Sequence, residues 1–345
     1  MDEPIVIGVL RTPNVIPRNI LKTNSDVGSL FLLAKNFGVK VVGFTPADVD
    51  LQSGTVNGYV LSASGTGVDR VVCPVPKVTD NSNLFSDEFR RSDFEKFSLL
   101  TLTRLPTTKY KTYCKLKENG RYAHILIPTA VVDSFDTLLQ FLGLYGSVIV
   151  KPAVGCRGSK IFCIAKEGDR YALTQGTNHD VYDLEQLKML CENFFGRYIV
   201  SKFIRSVTHE NEPFDLRVHS RRDGGGGFVP FIFPRIGNPK GVVSNIATGG
   251  YTYDTKAFLQ REFGSLSAEI YNSLYKLGKE FPPYYQKFWN VPIPDCGLDI
   301  GITRQGDGFS LNLFEVNTYS SYPPCYYEDS VVRIGYWKSL YRSVT

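Results

Sequence analysis

The segment from Val148 to Ile161 carries a lysine at the end of an apolar run and two glycines soon after it. The run V-I-V-K-P ends with Lys151 and Pro152, and Gly155 and Gly158 follow in G-C-R-G-S-K-I. Glycine lets a turn bring backbone N–H groups close to an anion, and a lysine adds positive charge beside them. The segment matches neither G-x-x-x-x-G-K-[ST] nor G-x-G-x-x-G. It therefore predicts either a phosphate-binding loop of another kind or a hairpin with a charged tip.

Three oxygen-bearing side chains lie in two apolar runs near the C-terminal end of the sequence. Asp299 lies within L-D-I, and Glu315 and Asn317 end the run F-E-V-N. Because a strand has a period of two residues, Glu315 and Asn317 point to the same face. Burying such groups without a partner is costly, and oxygen ligands of this kind suit Mg²⁺. The pattern therefore predicts a magnesium site, and the alternative is an ordinary polar face exposed to solvent.

A third group of polar residues lies between these two. Asp215 and Arg217 alternate with apolar residues and so share one face of a strand, and Arg235 and Asn245 follow further along the chain. Alone, the acid and the arginine would form an ordinary salt bridge. Together with the lysine–glycine segment and the C-terminal oxygens they describe a magnesium–nucleotide site. Lysine and loop amides would hold phosphates, and arginines would neutralise the transferred charge.

The elements that position these residues begin with a strand, a helix and a second strand. Asp26 is a candidate N-cap for the helix, and this βαβ order predicts a parallel sheet. The prolines and polar residues at 74–82 predict a linker, which places a domain boundary between residues 75 and 95. A tetraglycine at 224–227 predicts a hairpin tip. The expected strands include 4–10, 39–44, 297–303 and 310–316. The expected helical stretches include 26–38, 86–116 with a break at Pro106, and 265–289.

Composition excludes several classes of protein. The chain has 345 residues, 43% hydrophobic and 21% charged, which fits two or three packed units and excludes disorder and fibrous repeats. The net charge of +5 is spread along the chain, so we expect no nucleic-acid partner. No apolar run approaches the ~20 residues of a membrane span, and the acidic start shows no signal peptide. Seven cysteines without a C-x-x-C pair argue against zinc, so we expect a cytoplasmic protein with reduced thiols.

The order of the motifs resembles that of the ATP-grasp superfamily. Residues 95 to 330 contain, in sequence, T-K-Y-K-T-Y-C-K-L, I-P-T, V-K-P with G-x-x-G, Y-I-V-S-K-F-I, F-D-L-R-V, P-R, S-N-I-x-x-G-G, L-D-I-G and F-E-V-N. Each motif alone is weak, but nine in the family's order are specific. The chain is most similar to YheC/YheD-type spore-coat-associated proteins and to RimK-type carboxylate–amine ligases.

The resemblance implies an α/β (α+β) architecture, the ATP-grasp fold, with ATP bound between two α+β subdomains. It implies an N-terminal βαβ pre-grasp domain at residues 1–90, a central subdomain at 91–205 with the glycine-rich loop, and a C-terminal subdomain at 206–345 with the metal site.

The resemblance also implies a role for each motif residue, with ATP and Mg²⁺ as cofactors. The residues expected near the transferred phosphate are Arg217, Arg235 and Asn245. Those expected to bind the nucleotide are Lys109, Lys151, Gly155, Gly158, Ser159, Lys202, Phe203 and Asp215. The expected magnesium ligands are Asp299, Glu315 and Asn317.

The function implied is an ATP-dependent carboxylate–amine ligase that forms an amide or peptide bond through an acylphosphate and releases ADP and phosphate. Its substrates would be small-molecule or peptide carboxylates and amines, with no membrane partner, and a homo-oligomer stays open. Two alternatives remain at this point. One is a nucleotide-binding structural protein that no longer catalyses, and the other is a small-molecule phosphotransferase.

Overall fold

The computed structural model of the chain describes residues 4–345 apart from 14, 23–24, 82–89, 103–104, 106, 156–159, 243, 245–248, 290 and 319–323. The described residues form three β-sheets with helices packed against them. This mixed architecture confirms the predicted α+β class. Of the predicted site residues, Gly158, Ser159 and Asn245 lie outside the described residues.

The first sheet has seven strands in the described part of the chain, in the order β3-β4-β2-β1-β6-β7 with β5 paired to β4. The pairs β1–β2, β1–β6 and β6–β7 are parallel, and the other pairs are antiparallel. The strands are β1 (Ile5–Leu10), β2 (Val39–Phe44), β3 (Val49–Asp50), β4 (Thr55–Leu61), β5 (Val68–Pro74), β6 (Val78–Asn81) and β7 (Leu100–Leu102).

The predicted βαβ unit is confirmed. Helix α1 (Ile16–Ile20) and helix α2 (Asp26–Asn36) connect β1 to the parallel strand β2. The N-cap of α2 is Ser25, whose hydroxyl accepts a hydrogen bond from the Gly28 amide, so the assignment of Asp26 as the cap is wrong by one residue. The helix buries Leu30 and Phe31 against the sheet, because apolar residues recur on one of its faces.

The linker predicted at residues 74–82 is wrong. Val78–Asn81 form β6, a central strand of the first sheet, and all four residues are buried. In the stretch 86–116, the helix predicted after the break at Pro106 is present as α4 (Lys109–Asn119), but the described part before the break contains only the short helix α3 (Arg91–Phe94) and strand β7. The first sheet thus extends to Leu102, and the domain boundaries stay predictions.

The second sheet has six described strands, all antiparallel, in the order β12-β11-β10-β9-β13-β8. Two helices, α5 (Phe135–Tyr145) and α6 (Leu184–Cys191), cover one face and bury Leu138 and Leu187 there. The strands are β8 (Thr129–Val131), β9 (Ser147–Pro152), β10 (Phe162–Glu167), β11 (Arg170–Gln175), β12 (Asn178–Tyr182) and β13 (Tyr198–Lys202).

The third sheet has four described antiparallel strands in the order β15-β14-β16-β17. Helix α7 (Thr255–Phe263) and helix α8 (Ser267–Gln286) pack on one face and form the largest core cluster with it. The tetraglycine joins β14 to β15, which confirms the predicted hairpin tip. The strands are β14 (Phe214–Arg222), β15 (Phe228–Ile236), β16 (Asp295–Gln305) and β17 (Gly308–Asn317).

Helix α9 (Tyr326–Val344) joins the third sheet to the first. It follows β17 but places Ile334, Tyr336 and Trp337 in the core of the first sheet, and it also packs against β14. Because several sides of α9 contact protein, its sequence lacks a clear apolar stripe, and the sequence did not predict this helix. Helix α7 is also absent from the predicted elements. No helix in the described ranges combines the length and apolarity needed to cross a membrane.

Candidate active site

A cleft of about 1760 Å³ is bordered by the second and third sheets and by residues that follow β1 and β7 of the first sheet. Ordinary ligand pockets measure roughly 300–1,000 Å³, so this cleft has room for a nucleotide and further substrates. All the predicted site residues that are described line it. They are Lys109, Lys151, Gly155, Lys202, Phe203, Asp215, Arg217, Arg235, Asp299, Glu315 and Asn317.

Two lysines converge on strand β17 from different elements. Lys109 begins α4, which Thr108 caps by accepting a hydrogen bond from the Lys111 amide. The Lys109 Nζ atom donates to the Gly155 carbonyl at 2.6 Å and lies 3.4 Å from Glu315 Oε1. Lys151, near the end of β9, donates through Nζ to the carbonyl of Phe314 at 2.9 Å. The strand that carries Glu315 therefore faces two positive charges.

The environment of Lys151 disfavours its charge. Burial lowers the pKa of Lys151 below its usual value, and the nearby cation of Lys109 adds to this effect. Glu315 and Asp299 oppose it but do not cancel it. A desolvated cation gains free energy when an anion comes close, so this lysine suits a phosphate ligand.

Four charged side chains form an ion-pair cluster on strands β14, β15 and β16. In the ladder, Asp215 is opposite Arg235 and Arg217 is opposite Asp299. Arg235 holds Asp215 with two hydrogen bonds of 2.7 and 2.6 Å and also reaches Asp299 at 3.0 Å. Arg217 Nε donates to Asp299 at 2.5 Å, and the hydroxyl of Ser244 donates to Asp215 at 2.6 Å. The predicted common face of Asp215 and Arg217 is confirmed by these contacts.

The two carboxylates of the ion-pair cluster differ in their ionisation. Burial raises the pKa of Asp215, and the charge of Asp299 raises it further, so that Arg235 does not restore the usual value. Burial also acts on Asp299, but Arg217 and Arg235 outweigh it and lower the pKa of that carboxyl. Asp299 therefore stays ionised, as a metal ligand or an ion-pair partner must.

The donor set at Asp299, Glu315 and Asn317 fits a hard cation such as Mg²⁺. Asp299 is opposite Glu315 in the ladder, and the Asn317 amide lies 3.4 Å from Asp299 Oδ2. Rotating that amide by half a turn presents its oxygen instead of its nitrogen. Within the described ranges no three Asp, Glu, His or Cys side chains form a metal-binding group, so a magnesium ion here would take only two carboxylates and the Asn317 amide from the side chains predicted to bind it.

The end of β13 carries Lys202, and Phe203 follows it; both are expected to bind the nucleotide. The backbone N–H of Lys202 donates to the Pro128 carbonyl at 3.1 Å, and that of Phe203 donates to the Ser147 carbonyl at 3.1 Å. A base bound at this segment would therefore use its carbonyl groups rather than these two amides. The Lys202 ammonium lies over the ring of Tyr145, 5.7 Å from its centre.

Gly155 is the described glycine of the predicted phosphate loop. Its φ of +120° is a conformation that side-chain-bearing residues rarely adopt, and the neighbouring Val154 is 69% exposed. Its carbonyl accepts the hydrogen bond from Lys109. The glycine therefore permits the turn, as the sequence predicts, and its carbonyl holds the Lys109 side chain in place.

Sequence reasoning did not find the other end of the cleft. Arg11, Arg221, Asp295 and Arg333 line it as well, and all four are buried. A signal was present for one of them, because Arg221 continues the alternation of Asp215 and Arg217 along β14. The partners of the others come from distant parts of the chain and leave no local pattern.

One curated protein resembles this chain over most of its length. Endospore coat-associated protein YheD of Bacillus subtilis (strain 168) is 19% identical over 318 residues, which cover 84% of this chain and 67% of that protein.

Solved structures of two ligases share the fold. D-alanyl-alanine synthetase A from Vibrio cholerae O1 biovar eltor str. N16961 aligns with a TM-score of 0.52 at 14% identity, covering 99% of this chain and 97% of that one. The ATP-grasp ligase PsnB, complexed with minimal precursor, Mg and ADP, aligns with a TM-score of 0.51 at 12% identity, covering 96% and 98%. These alignments confirm the predicted ATP-grasp fold. The family described as YheC/D like ATP-grasp matches residues 102–330, and the chain belongs to this family.

Proposed function

We propose that the protein is an ATP-dependent carboxylate–amine ligase. A substrate carboxylate attacks the γ-phosphorus of ATP, the bond to the β-phosphate oxygen breaks, and ADP leaves. The amine then attacks the carbonyl carbon of the acylphosphate, loses a proton, and expels inorganic phosphate. The product is an amide or peptide bond.

One observation carries the proposal: Lys109 and Lys151 both contact β17, the strand that carries Glu315 and Asn317. Lys109 lies 3.4 Å from Glu315, and Lys151 is bonded to the neighbouring carbonyl of Phe314. Lysines next to carboxylates inside a cleft match the needs of a nucleotide triphosphate held with a divalent cation.

Each group of this chain has a separate task in the proposed reaction. Lys109 and Lys151 hold the phosphates, and Asp215 fixes the guanidinium of Arg235 through two hydrogen bonds. Arg217 and Arg235 face the position of the transferred phosphoryl group and stabilise its charge without moving, because the acids already orient them.

Asp299, Glu315 and Asn317 are the residues that would hold magnesium. When bound, the ion neutralises phosphate oxygens and lowers the cost of bringing a carboxylate to ATP. Asp299 also accepts hydrogen bonds from Arg217 and Arg235, so it would share its lone pairs between the arginines and the ion.

The direct test is release of ADP and phosphate by the purified protein in ATP and Mg²⁺ with a broad panel of carboxylates and amines. We expect ADP release that needs both substrates and an amide product seen by mass spectrometry. Absence of ADP release across the panel, with tight ATP binding, would instead favour a nucleotide-binding structural protein. That second candidate is favoured by the likeness to a coat-associated protein.

The metal assignment is tested with Glu315→Gln. Removing a magnesium ligand should slow ADP release at least about 100-fold, because several kcal/mol of phosphate stabilisation are lost. The matched control is Glu280→Gln, which removes an exposed acid paired with Arg121 outside the cleft. An unchanged rate in Glu315→Gln contradicts the metal assignment.

A further inference from the structure

Three arginines line the cleft at the end formed by the first sheet and α9. We call Arg11, Arg221 and Arg333 the distal arginine cluster. They line the same cleft as Lys109 and Lys151, yet each has at most 8% of its side chain exposed. No nucleotide or metal motif of the sequence includes them, so their place in the cleft needs its own explanation.

Acidic partners hold the distal arginine cluster rigidly. Asp80 accepts from Arg11 at 3.3 Å and from Arg333 at 2.8 Å. Asp329 accepts two hydrogen bonds from Arg221, of 2.8 and 3.0 Å. Because a guanidinium has five N–H donors, an arginine fixed by one acid can still donate to a second anion. Among the described residues, the contacts of Arg11 use Nη1 and Nη2, which leaves its Nε–H group uncommitted.

The strand ladder gives the distance between the two ends of the cleft. Arg217 is opposite Asp299, and four residues further along β14 Arg221 is opposite Asp295, on the same face. A strand rises about 3.3 Å per residue, so these two residue pairs are separated by about 13 Å. The pair Arg217–Asp299 belongs to the proposed phosphoryl-transfer end, and the pair Arg221–Asp295 lies at the distal arginine cluster.

The lining of the cleft as a whole is more basic than acidic, while the distal arginine cluster itself is balanced by Asp80, Asp295 and Asp329. Among the described residues that line the cleft, basic side chains outnumber acidic ones by nine to five. Ser25, Asp26 and Val27 at the N-terminus of α2 line the cleft too. In a βαβ unit the helix begins at the carboxyl end of the first strand, which here is followed by Arg11, so the positive end of the helix dipole adds to this region.

We propose that the distal arginine cluster binds a free carboxylate of the substrate, about 13 Å from the carboxyl group that is activated. Because an extended chain spans about 3.4 Å per residue, the cleft would then select a peptide-sized substrate of about four residues with an anionic end. This inference rests on the proposed ligase function and names its substrate class.

The test is binding of peptides of one to five residues that begin with glutamate and continue with alanines, with free or amidated C-termini, to protein saturated with Mg²⁺ and ADP. The glutamate side chain supplies the carboxyl group to be activated, and the C-terminus supplies the distant carboxylate. Isothermal titration calorimetry should show that the free acids bind roughly 10- to 100-fold more tightly than the amides once the peptide reaches about three or four residues. Equal affinities for acid and amide at every length, or no binding of any peptide, would overturn the proposal.

Variants separate a binding role of the distal arginine cluster from a structural one. Arg11→Gln should abolish the preference for the free acid, and Arg11→Lys should restore part of it. The control Arg70→Gln removes an arginine paired with Asp48 in the same sheet but outside the cleft, and should keep the preference. An Arg11→Gln protein that still discriminates acid from amide would contradict the assignment.

Affinity for Mg²⁺–ADP is measured in every variant and shows that each is folded. Normal nucleotide binding without any preference for the free acid would overturn this inference alone. A preference for the free acid in a protein that never releases ADP would overturn the ligase function instead.

Discussion

Lys151 shows how a single residue can be unfavourable for folding and favourable for binding. Burial is the main cause of its lowered pKa, so its charge costs free energy in the folded protein. Its one described hydrogen bond joins Nζ to the Phe314 carbonyl, which leaves further donors for a ligand. Glu315 and Asp299 offset part of the cost of desolvation, and a bound anion would offset more, so the residue is better suited to ligand binding than to stability.

We therefore expect Lys151→Met to separate the two properties. Affinity for Mg²⁺–ADP should fall roughly 10- to 100-fold, because a charge-assisted contact to phosphate is lost. The free energy of unfolding should fall by no more than about 1 kcal/mol, since the variant loses a hydrogen bond but no longer buries a charge. Calorimetric titration and urea denaturation measure the two quantities.

The control for this variant is Lys166→Met, which changes an exposed lysine of the same sheet. It should alter neither quantity. A large loss of stability in Lys151→Met, with nucleotide affinity unchanged, would mean that the lysine is structural.

At the residue scale, sequence periodicity predicted faces but not partners. The period of two placed Asp215 and Arg217 on one face, and the two ladders and the contact of Arg235 with Asp299 confirm it. That Asp299 accepts from two arginines while Lys109 approaches Glu315 depends on contacts between strands and helices far apart in the chain. Such contacts have no local signal, because they are set by sheet order and not by spacing.

Helix α8 illustrates a close contact between elements. A methyl group added to Gly278 would lie 2.7 Å from a Pro230 carbon and 2.8 Å from a Val218 carbon. The glycine therefore lets the helix approach the strand pair β14–β15, whose opposite face carries Arg217 and Arg235. Replacing it would push the helix away or distort the sheet.

We expect Gly278→Ala to destabilise the protein by about 1–3 kcal/mol, although alanine is the better helix former. The matched control is Gly335→Ala in α9, where an added methyl group meets nothing within 4 Å. That control should be neutral or stabilising by up to about 1 kcal/mol. Urea denaturation of both variants decides the matter, and equal effects at the two positions would refute the packing argument.

Strand β6 was missed for a physical reason at the element scale. Its residues Thr79, Asp80 and Asn81 are polar, and polar residues beside prolines are typical of a linker. All three are buried in a central strand, and the acid is tolerated because Arg11 and Arg333 neutralise it. Arg333 lies 253 residues further along the chain, so composition near β6 could not reveal the strand.

On the scale of the whole molecule, Asp80 links the beginning of the fold to its end. It accepts hydrogen bonds from Arg11 after β1 and from Arg333 and Trp337 in α9. Burial opposes its ionisation, but Arg333 and Arg11 outweigh burial and lower the pKa of Asp80 from 3.8 to about 2. Folding thus favours the ionised form of Asp80, and the contribution of this residue to the free energy of unfolding must depend on pH.

We expect Asp80→Asn to lower the free energy of unfolding by about 3–5 kcal/mol at pH 7, since two buried arginines lose their acid. About 2–3 kcal/mol of this difference in the free energy of unfolding should depend on pH. The lowered pKa of Asp80 stabilises the folded protein at pH values above the pKa that this carboxyl group has in the unfolded chain. The pH-dependent part is lost as the pH falls from about 4 to about 2. The gap between the two proteins should therefore narrow in this window.

Urea denaturation at a series of pH values measures this gap. Asp69→Asn, an exposed acid on β5 of the same sheet, should change stability by no more than about 0.5 kcal/mol at any pH. A gap between wild type and Asp80→Asn that stays constant down to pH 2 would contradict the argument.

Because α9 supplies Ile334 and Trp337 to the core of the first sheet, this sheet depends on residues that a ribosome adds more than two hundred positions after β7. Domains usually fold as units in the order of their synthesis. Here the N-terminal unit would emerge with its apolar surface uncovered, so its final assembly has to wait until the ribosome has added α9.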